Sequence, residues 1–276
     1  METVDFGKTG LRVSRMSFGT GTHGWGHRSE QTALGLDGLA SLLQLAYDRG
    51  VNFWDAADGY GSHPHVARAL RGIPRDAVVI ATKTSSRTAR KVTRDVERFL
   101  RELDTDVLDV VLMHYVTRPD WPRRYAGAME ALSRAREQGK VRAVGVSCHG
   151  LDVLRAAAET DWAEVILARI NFAGVNMDAN PSDVVPVIER MYASGKAIYG
   201  MKVLGCGQLA KDARTAIQYV FQLGTVHAIT IGTSRREHLD ENLELVEELA
   251  PQYPLRASQS NLAKVTCGPG DWSTLG

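Results

Sequence analysis

Short apolar runs of strand length alternate along this chain with longer stretches in which apolar residues recur at helical spacing. The runs fall at 15–20, 51–56, 78–83, 107–113, 141–147, 164–171, 197–202 and 227–232. The helix-like stretches fall at 31–48, 65–70, 93–103, 125–138, 151–160, 181–194 and 212–223, and one more is expected to begin near Arg235. Gly50, Gly139, Gly195 and Gly224 stand where several of these stretches give way to the next run, a position that favours glycine just past a helix C-terminus. Eight strand–helix alternations predict an α/β fold, a (β/α)8 TIM barrel rather than an open sheet. Ahead of them Val4 and Phe6 lead through the turn-forming Gly7-Lys8-Thr9-Gly10 to Leu11-Arg12-Val13-Ser14, which predicts a short N-terminal β-hairpin. No linker or low-complexity segment interrupts the series. Residues 1–276 are expected to form a single domain, with 251–276 as a surface tail.

Composition excludes more than it selects. A chain of 276 residues with 44% hydrophobic and 24% charged residues and a net charge of +1 is ordinary for a globular protein. Neither a basic excess nor a charge run points to nucleic acid or to a membrane surface, so neither is expected as a partner. The start Met1-Glu2-Thr3-Val4-Asp5 has no basic segment followed by an apolar one, and no apolar stretch reaches spanning length. A cytoplasmic location is expected on that ground. Cys148, Cys206 and Cys267 lie far apart with no Cys-x-x-Cys pair, so they are read as free thiols, with no metal or cluster site.

A barrel of this kind gathers its chemistry at the C-terminal ends of its strands. Applied run by run, that rule brings Asp55, Lys83, His114, Ser147, Asn171, Lys202 and Gly232-Thr233-Ser234 to one mouth, and Tyr60, between Gly59 and Gly61, arrives on the loop after the second run. Taken singly each has an ordinary explanation, since a strand-end carboxylate or ammonium is commonly a cap or a surface charge. Together Asp55, Tyr60, Lys83 and His114 suit carbonyl reduction. Hydride addition to a carbonyl carbon needs a proton for the developing oxyanion, and Tyr60 is the expected donor. An ammonium at Lys83 would depress the phenol pKa, Asp55 would hold that lysine charged, and His114 would orient the substrate oxygen. Two other readings of these residues stay open: a Schiff-base lyase built on Lys83, and a barrel that binds a nucleotide in a regulatory role with little turnover. Trp25, Tyr115 and Trp121, in the loops after the first and fourth runs, are candidates to wall a substrate pocket. Trp54 reads as strand core.

The same residues carry a resemblance. Asp55-x-Ala57-x-x-Tyr60-Gly61, Lys83 in Ile80-Ala81-Thr82-Lys83, and His114 closing the run Asp109-Val110-Val111-Leu112-Met113-His114 resemble the catalytic Asp-Tyr-Lys-His set of the aldo-keto reductases in order and spacing. Phe6-Gly7-Lys8-Thr9-Gly10-Leu11-Arg12-Val13-Ser14, Gly145-Val146-Ser147, and Ile231-Gly232-Thr233-Ser234 through Glu241-Asn242 are similar to that family's opening hairpin, fifth strand and cofactor segment. The resemblance implies a barrel that binds NADP, or less often NAD, across its mouth and reduces small-molecule aldehydes or ketones. It implies that Ser147 holds the nicotinamide amide, although Cys148 follows where Asn is usual. Leu167 stands at the place of the usual amide-binding Gln, with Arg169 on the same strand face as its substitute; Asn171 and Thr20 are counted among the cofactor contacts as well. Met201 falls at the position that stacks on nicotinamide, Lys202 beside it is placed to reach the pyrophosphate, and Leu204 follows in the matching segment. Gly232, Thr233 and Ser234 precede a helix whose first amides would meet the adenosine phosphate, with Asn242 in the same segment. His238 corresponds to the basic residue facing a 2′-phosphate, and Arg235 and Arg236 offer charge in its place. Some relatives carry a C-terminal iron–sulfur extension, which Cys267 alone would not support.

Overall fold

Side chains along a strand point alternately to its two faces, so closing a sheet on itself sends every second residue inward. The computed structural model describes residues 1–257. The hairpin is formed by β1 (Thr3–Asp5) and β2 (Arg12–Ser14), antiparallel, with Val4 opposite Val13. The eight apolar runs become β3 (Met16–Gly19), β4 (Phe53–Asp55), β5 (Val79–Thr84), β6 (Leu108–Val116), β7 (Val141–Cys148), β8 (Val165–Arg169), β9 (Ala197–Met201) and β10 (Ala228–Ile231). Each pairs in parallel with the next, and β10 pairs with β3, which closes the barrel. Around it run α1 (Gly35–Asp48), α2 (His63–Ala69), α3 (Ala89–Leu103), α4 (Trp121–Arg124), α5 (Ala126–Glu137), α6 (Leu151–Ala158), α7 (Pro181–Ala193), α8 (Ala213–Gln222) and α9 (Arg236–Leu249). Among the described residues no helix is long and apolar enough to cross a membrane. Cys267 and the expected tail beyond residue 257 lie outside them.

The alternation produces two cores. Phe53, Val79, Ala81, Val110, Leu112, Ala143, Val165, Leu167, Tyr199 and Ala228 fill the inside of the barrel, while Trp54, Ile80, Val111, Val144, Ile166, Ile198 and Ile229 face the helices. Trp54 is core, as its place in the run implies. Some boundaries differ from the pattern's expectation. Helix α3 starts at Ala89 rather than near residue 93, because Thr88 is extended and sets the start one residue before. Helix α2 starts at His63, with Pro64 in its first turn, where a missing amide hydrogen costs nothing. Strand β6 runs on to Val116 through a register shift between Met113 and Val116, and Tyr115 there has φ of 52°. The guanidinium of Arg87 donates to the carbonyls of both His114 and Tyr115 and clips this bulge in place.

The hairpin stoppers the N-terminal end of the barrel. Phe6 packs edge-on against Phe53, Tyr199 and His227, with centroids 5.3, 6.1 and 5.7 Å away. Next to it Arg15, fully buried, ties the start of the barrel to segments 211 to 238 residues downstream: Nη1 donates to the carbonyls of Val226 and His227, and Nη2 to that of Tyr253. Phe6→Ala should therefore cost about 3–5 kcal/mol, the usual loss for a fully buried ring. Urea denaturation checks it; a midpoint unchanged from the parent would show that the hairpin is not an integral part of the core.

Candidate active site

Because Asp55 and Lys83 occupy inward positions near the C-terminal ends of adjacent strands, both are turned into the barrel beneath its mouth. Lys83 Nζ lies 2.7 Å from Asp55 Oδ1 and 2.8 Å from the carbonyl oxygen of Ala56. Tyr60 ends a 3-10 turn, Asp58–Tyr60, and its ring sits over the ammonium, with Nζ 4.9 Å from the centroid. Tyr60 Oη is 3.3 Å from His114 Nε2. Glycines make the placement of that ring possible. A Cβ on Gly21 or Gly24 would lie 2.2 or 2.3 Å from ring carbons of Tyr60, so only these residues let the loop after β3 close over it. Gly61 has φ of 66°, and a Cβ there would meet the carbonyl oxygen of His27 at 2.2 Å.

The electrostatics agree with the expected roles in part. Burial opposes a charge on Lys83, but Asp55 and then Tyr60 outweigh it and hold its pKa above the usual value. The amine is an ammonium, which does not suit it for the nucleophilic attack that a Schiff-base lyase requires. Burial, followed by the nearby Lys83, pushes His114 down to about 2, so its imidazole is neutral at any physiological pH. Tyr60 departs from the expectation: burial raises its pKa more than Lys83 lowers it, so the phenol lies above its ordinary value rather than below. The lysine limits the rise.

Tyr60 and Asp55 open onto a cavity of about 580 Å³ that extends past Leu167 and Met201 to the start of α9. Of the expected cofactor contacts, Met201, Lys202, Leu204, Gly232, Thr233, Ser234, His238 and Asn242 line it. Four others do not line it. Thr20 is buried and bonds to Ser62 and to the carbonyl of Asp55. Asn171 is consumed by its own loop, with Nδ2 donating to the carbonyls of Val175 and Lys202 and Oδ1 accepting from the amides of Ala173 and Val175. Ser147 Oγ lies 3.1 Å from His149 Nε2, and Arg169 is divided between Asp178 Oδ1 at 2.8 Å and His149 Nδ1 at 2.6 Å. The expected aromatic wall also changes. Trp121 is fully buried against Trp162 instead of reaching the mouth, because its apolar indole, at the first position of α4, packs into the core. Trp25 is 82% exposed and Tyr115 53%, the latter packed against His149 with centroids 4.3 Å apart and the rings tilted by 49°.

Three groups around the site escaped the pattern along the chain. Tyr199, from β9, donates to Asp55 Oδ1 at 2.9 Å from inside the barrel. His63, the first residue of α2, is buried between Glu102 and Thr82, the neighbour of Lys83, at 2.7 Å from each. Glu102 is held down at about 2, chiefly by His63 and then by Arg98, and Arg98 also binds Asp58 at the start of the Tyr60 turn. His149 is the third. Since Arg169 can only donate to its Nδ1, its proton lies on Nε2 and points to Ser147. Burial first, then Arg169, lowers it to about 3, so it is neutral. A strand-end histidine two residues past Ser147 was the only hint. Cys148 and Cys206 are free; Cys148 is buried and Cys206 lies 3.0 Å from Lys202 Nζ.

A parallel eight-stranded barrel with a buried Lys–Asp pair under a tyrosine and a histidine defines a class of protein. Residues 15–215 match the profile of the Aldo/keto reductase family, and the chain belongs to that family of NAD(P)H-dependent oxidoreductases. An aldo-keto reductase of Mycobacterium avium (strain 104) is 33% identical over 230 residues, covering 77% of this chain and 78% of that one. Aldo-keto reductase YhdN of Bacillus subtilis (strain 168) is 29% identical over 178 residues, 57% of this chain, and the match spans 51% of its own length. Among solved structures, an aldo-keto reductase of Pseudomonas aeruginosa superposes with a TM-score of 0.76 at 27% identity, covering 90% of this chain and 95% of that one.

Proposed function

We propose that this chain reduces small aldehydes or ketones to alcohols, with Tyr60 as the proton donor and NADPH preferred over NADH. The observation that carries the reading is the cluster of Tyr60, Lys83, Asp55 and His114 at one end of the cavity. The cavity residues suit a dinucleotide. Leu167 and Met201 offer an apolar wall beside Tyr60, and at the far end Gly232–Ser234 precede a helix of 14 residues whose N-terminus favours a phosphate. Lys202 would bind the pyrophosphate between them. The bound cofactor supplies the hydride.

The rest falls to the chain's own residues. Tyr60 Oη and His114 Nε2 offer two polar contacts to a single carbonyl oxygen, which fixes the substrate and supports the charge developing on that oxygen. The phenol then gives up its proton. Lys83 beneath the ring stabilises the tyrosinate left behind, and Asp55 keeps Lys83 in place. A phenol lying above its ordinary pKa is a reluctant acid, so the site's acidity depends on the field of that lysine.

The preference for NADPH rests on His238, which lines the cavity, and on Arg235 and Arg236 at the start of α9, both exposed. Only a weak tie holds Arg236, 3.6 Å from Asp240. Replacing both arginines by alanine should weaken NADPH about tenfold and leave NADH nearly unchanged, the loss expected for a charge-assisted contact. Fluorescence titration of parent and variant with the two cofactors measures this. An unchanged affinity ratio would remove the arginines from the account, and no binding of either cofactor by the parent would remove the reductase reading itself.

A further inference from the structure

Tyr199 is a fully buried phenol that the reaction described above does not use. It comes from β9, across the barrel from β4, and 144 residues separate it from the carboxylate it meets. Phe53 and Phe6 pack against its ring at 5.2 and 6.1 Å, so the ring is fixed and the hydroxyl has one orientation available to it. That hydroxyl donates to Asp55 Oδ1, the same oxygen that accepts from Lys83 Nζ. We infer that Tyr199 is a positioning residue for the proton donor: by sharing Asp55 Oδ1 with Lys83, it keeps the carboxylate from cancelling the lysine's field at Tyr60.

The argument is one of charge. Asp55 and Lys83 act on Tyr60 in opposite senses, the carboxylate raising its pKa and the ammonium lowering it. A hydrogen bond donated to a carboxylate draws down the negative charge it presents elsewhere. Burial, and then Asp55, put the Tyr199 phenol well above its ordinary value, so it stays protonated and always donates. Remove the hydroxyl and Asp55 either repels the forming tyrosinate more strongly or takes a larger share of the Lys83 proton. Both changes reduce the positive field and raise the pKa of Tyr60. The other groups facing this pair are His114 from β6, with Arg87 clipped to its carbonyl, and, further out, His149 after β7 and Lys202 after β9. His114 is paired with Tyr60, and His149 with Ser147 and Arg169, so neither donates to Asp55 in place of the missing hydroxyl.

This inference rests on the reductase reading for its consequence but not for its measurement. With tyrosines labelled at ring Cζ, carbon-13 spectra give the titration of Tyr60 directly, its resonance being the one missing in Tyr60→Phe. In Tyr199→Phe the titration should move up by about 0.5–1 pH unit. The kcat for aldehyde reduction should fall about 3- to 10-fold, because a weaker acid transfers its proton more slowly, with cofactor affinity within about twofold of the parent. An unmoved Tyr60 in the Phe variant overturns the proposal. So does a Phe variant that fails to fold, which would assign the hydroxyl to stability instead. A parent inactive on every carbonyl tried would sink the reductase reading and leave the spectra to judge this one.

Discussion

Tyr60→Phe should bind NADPH as the parent does and lose about 10²- to 10⁴-fold in kcat for aldehyde reduction, the usual contribution of a positioned general acid. The substitution removes one oxygen. Gly21 and Gly24 still close on the ring, Lys83 still faces it, and the far end of the cavity is untouched. The loss should therefore appear in kcat, with the cofactor dissociation constant held. His114 offers no substitute acid: its neutral imidazole, down at about 2, does not become an imidazolium in the working pH range. Steady-state rates over a panel of aldehydes, alongside a fluorescence titration with NADPH, separate the two effects. Turnover at the parent's level would show that the proton comes from elsewhere.

Lys83→Met should do more, because it damages stability as well as chemistry. Asp55 is nearly inaccessible, and its partners are the ammonium of Lys83 at 2.7 Å and the hydroxyl of Tyr199 at 2.9 Å. Taking away the cation leaves a buried carboxylate with one neutral donor, which typically costs about 3–5 kcal/mol. The sign of the pH dependence follows from the pair. The folded pKa of Lys83 lies above its unfolded value near 10.5, so its stabilisation is fully present below that pH and is lost only as the pH rises through the folded value. The stability gap between parent and variant should accordingly be flat through neutral pH and narrow only in strong alkali. Urea denaturation at several pH values reads this gap; a variant as stable as the parent at pH 7 would mean that the pair is not a buried ion pair in solution.

What the chain reveals without a structure follows from how local each feature is. The eight strands are visible because a parallel barrel writes its strands as short apolar runs, and the tetrad is visible because strand ends converge on one mouth. Tyr199 is invisible for the opposite reason: an inward tyrosine reads as core, and its hydroxyl finds Asp55 only once the barrel is closed. Ser147, Arg169 and Asn171 fall at strand ends that face the mouth, yet each is already hydrogen-bonded to neighbouring residues: Ser147 to His149, Arg169 to Asp178 and His149, and Asn171 to Val175 and Lys202. Trp121 shows the limit of reading a loop aromatic as a pocket wall, since the same side chain serves equally well as the peg of a short helix. For Tyr60 the pattern supplies the lysine that lowers a phenol's pKa but not the depth of burial that raises it, and the depth prevails.

Arg15 has a consequence for how the chain is made. Its guanidinium is held by carbonyls 211 and 238 residues downstream, and β3 beside it finds its second neighbour only when β10 exists. A ribosome delivers those partners long after β3. Until they emerge, β3 has an open edge and a guanidinium at its base with no carbonyls to receive it, so the first barrel strand made is also the last one to be completed. Contacts of such long range are slow to form. Commitment to the fold therefore waits for β10, and the unfinished barrel is the state in which this chain most needs protection from association through its free edges.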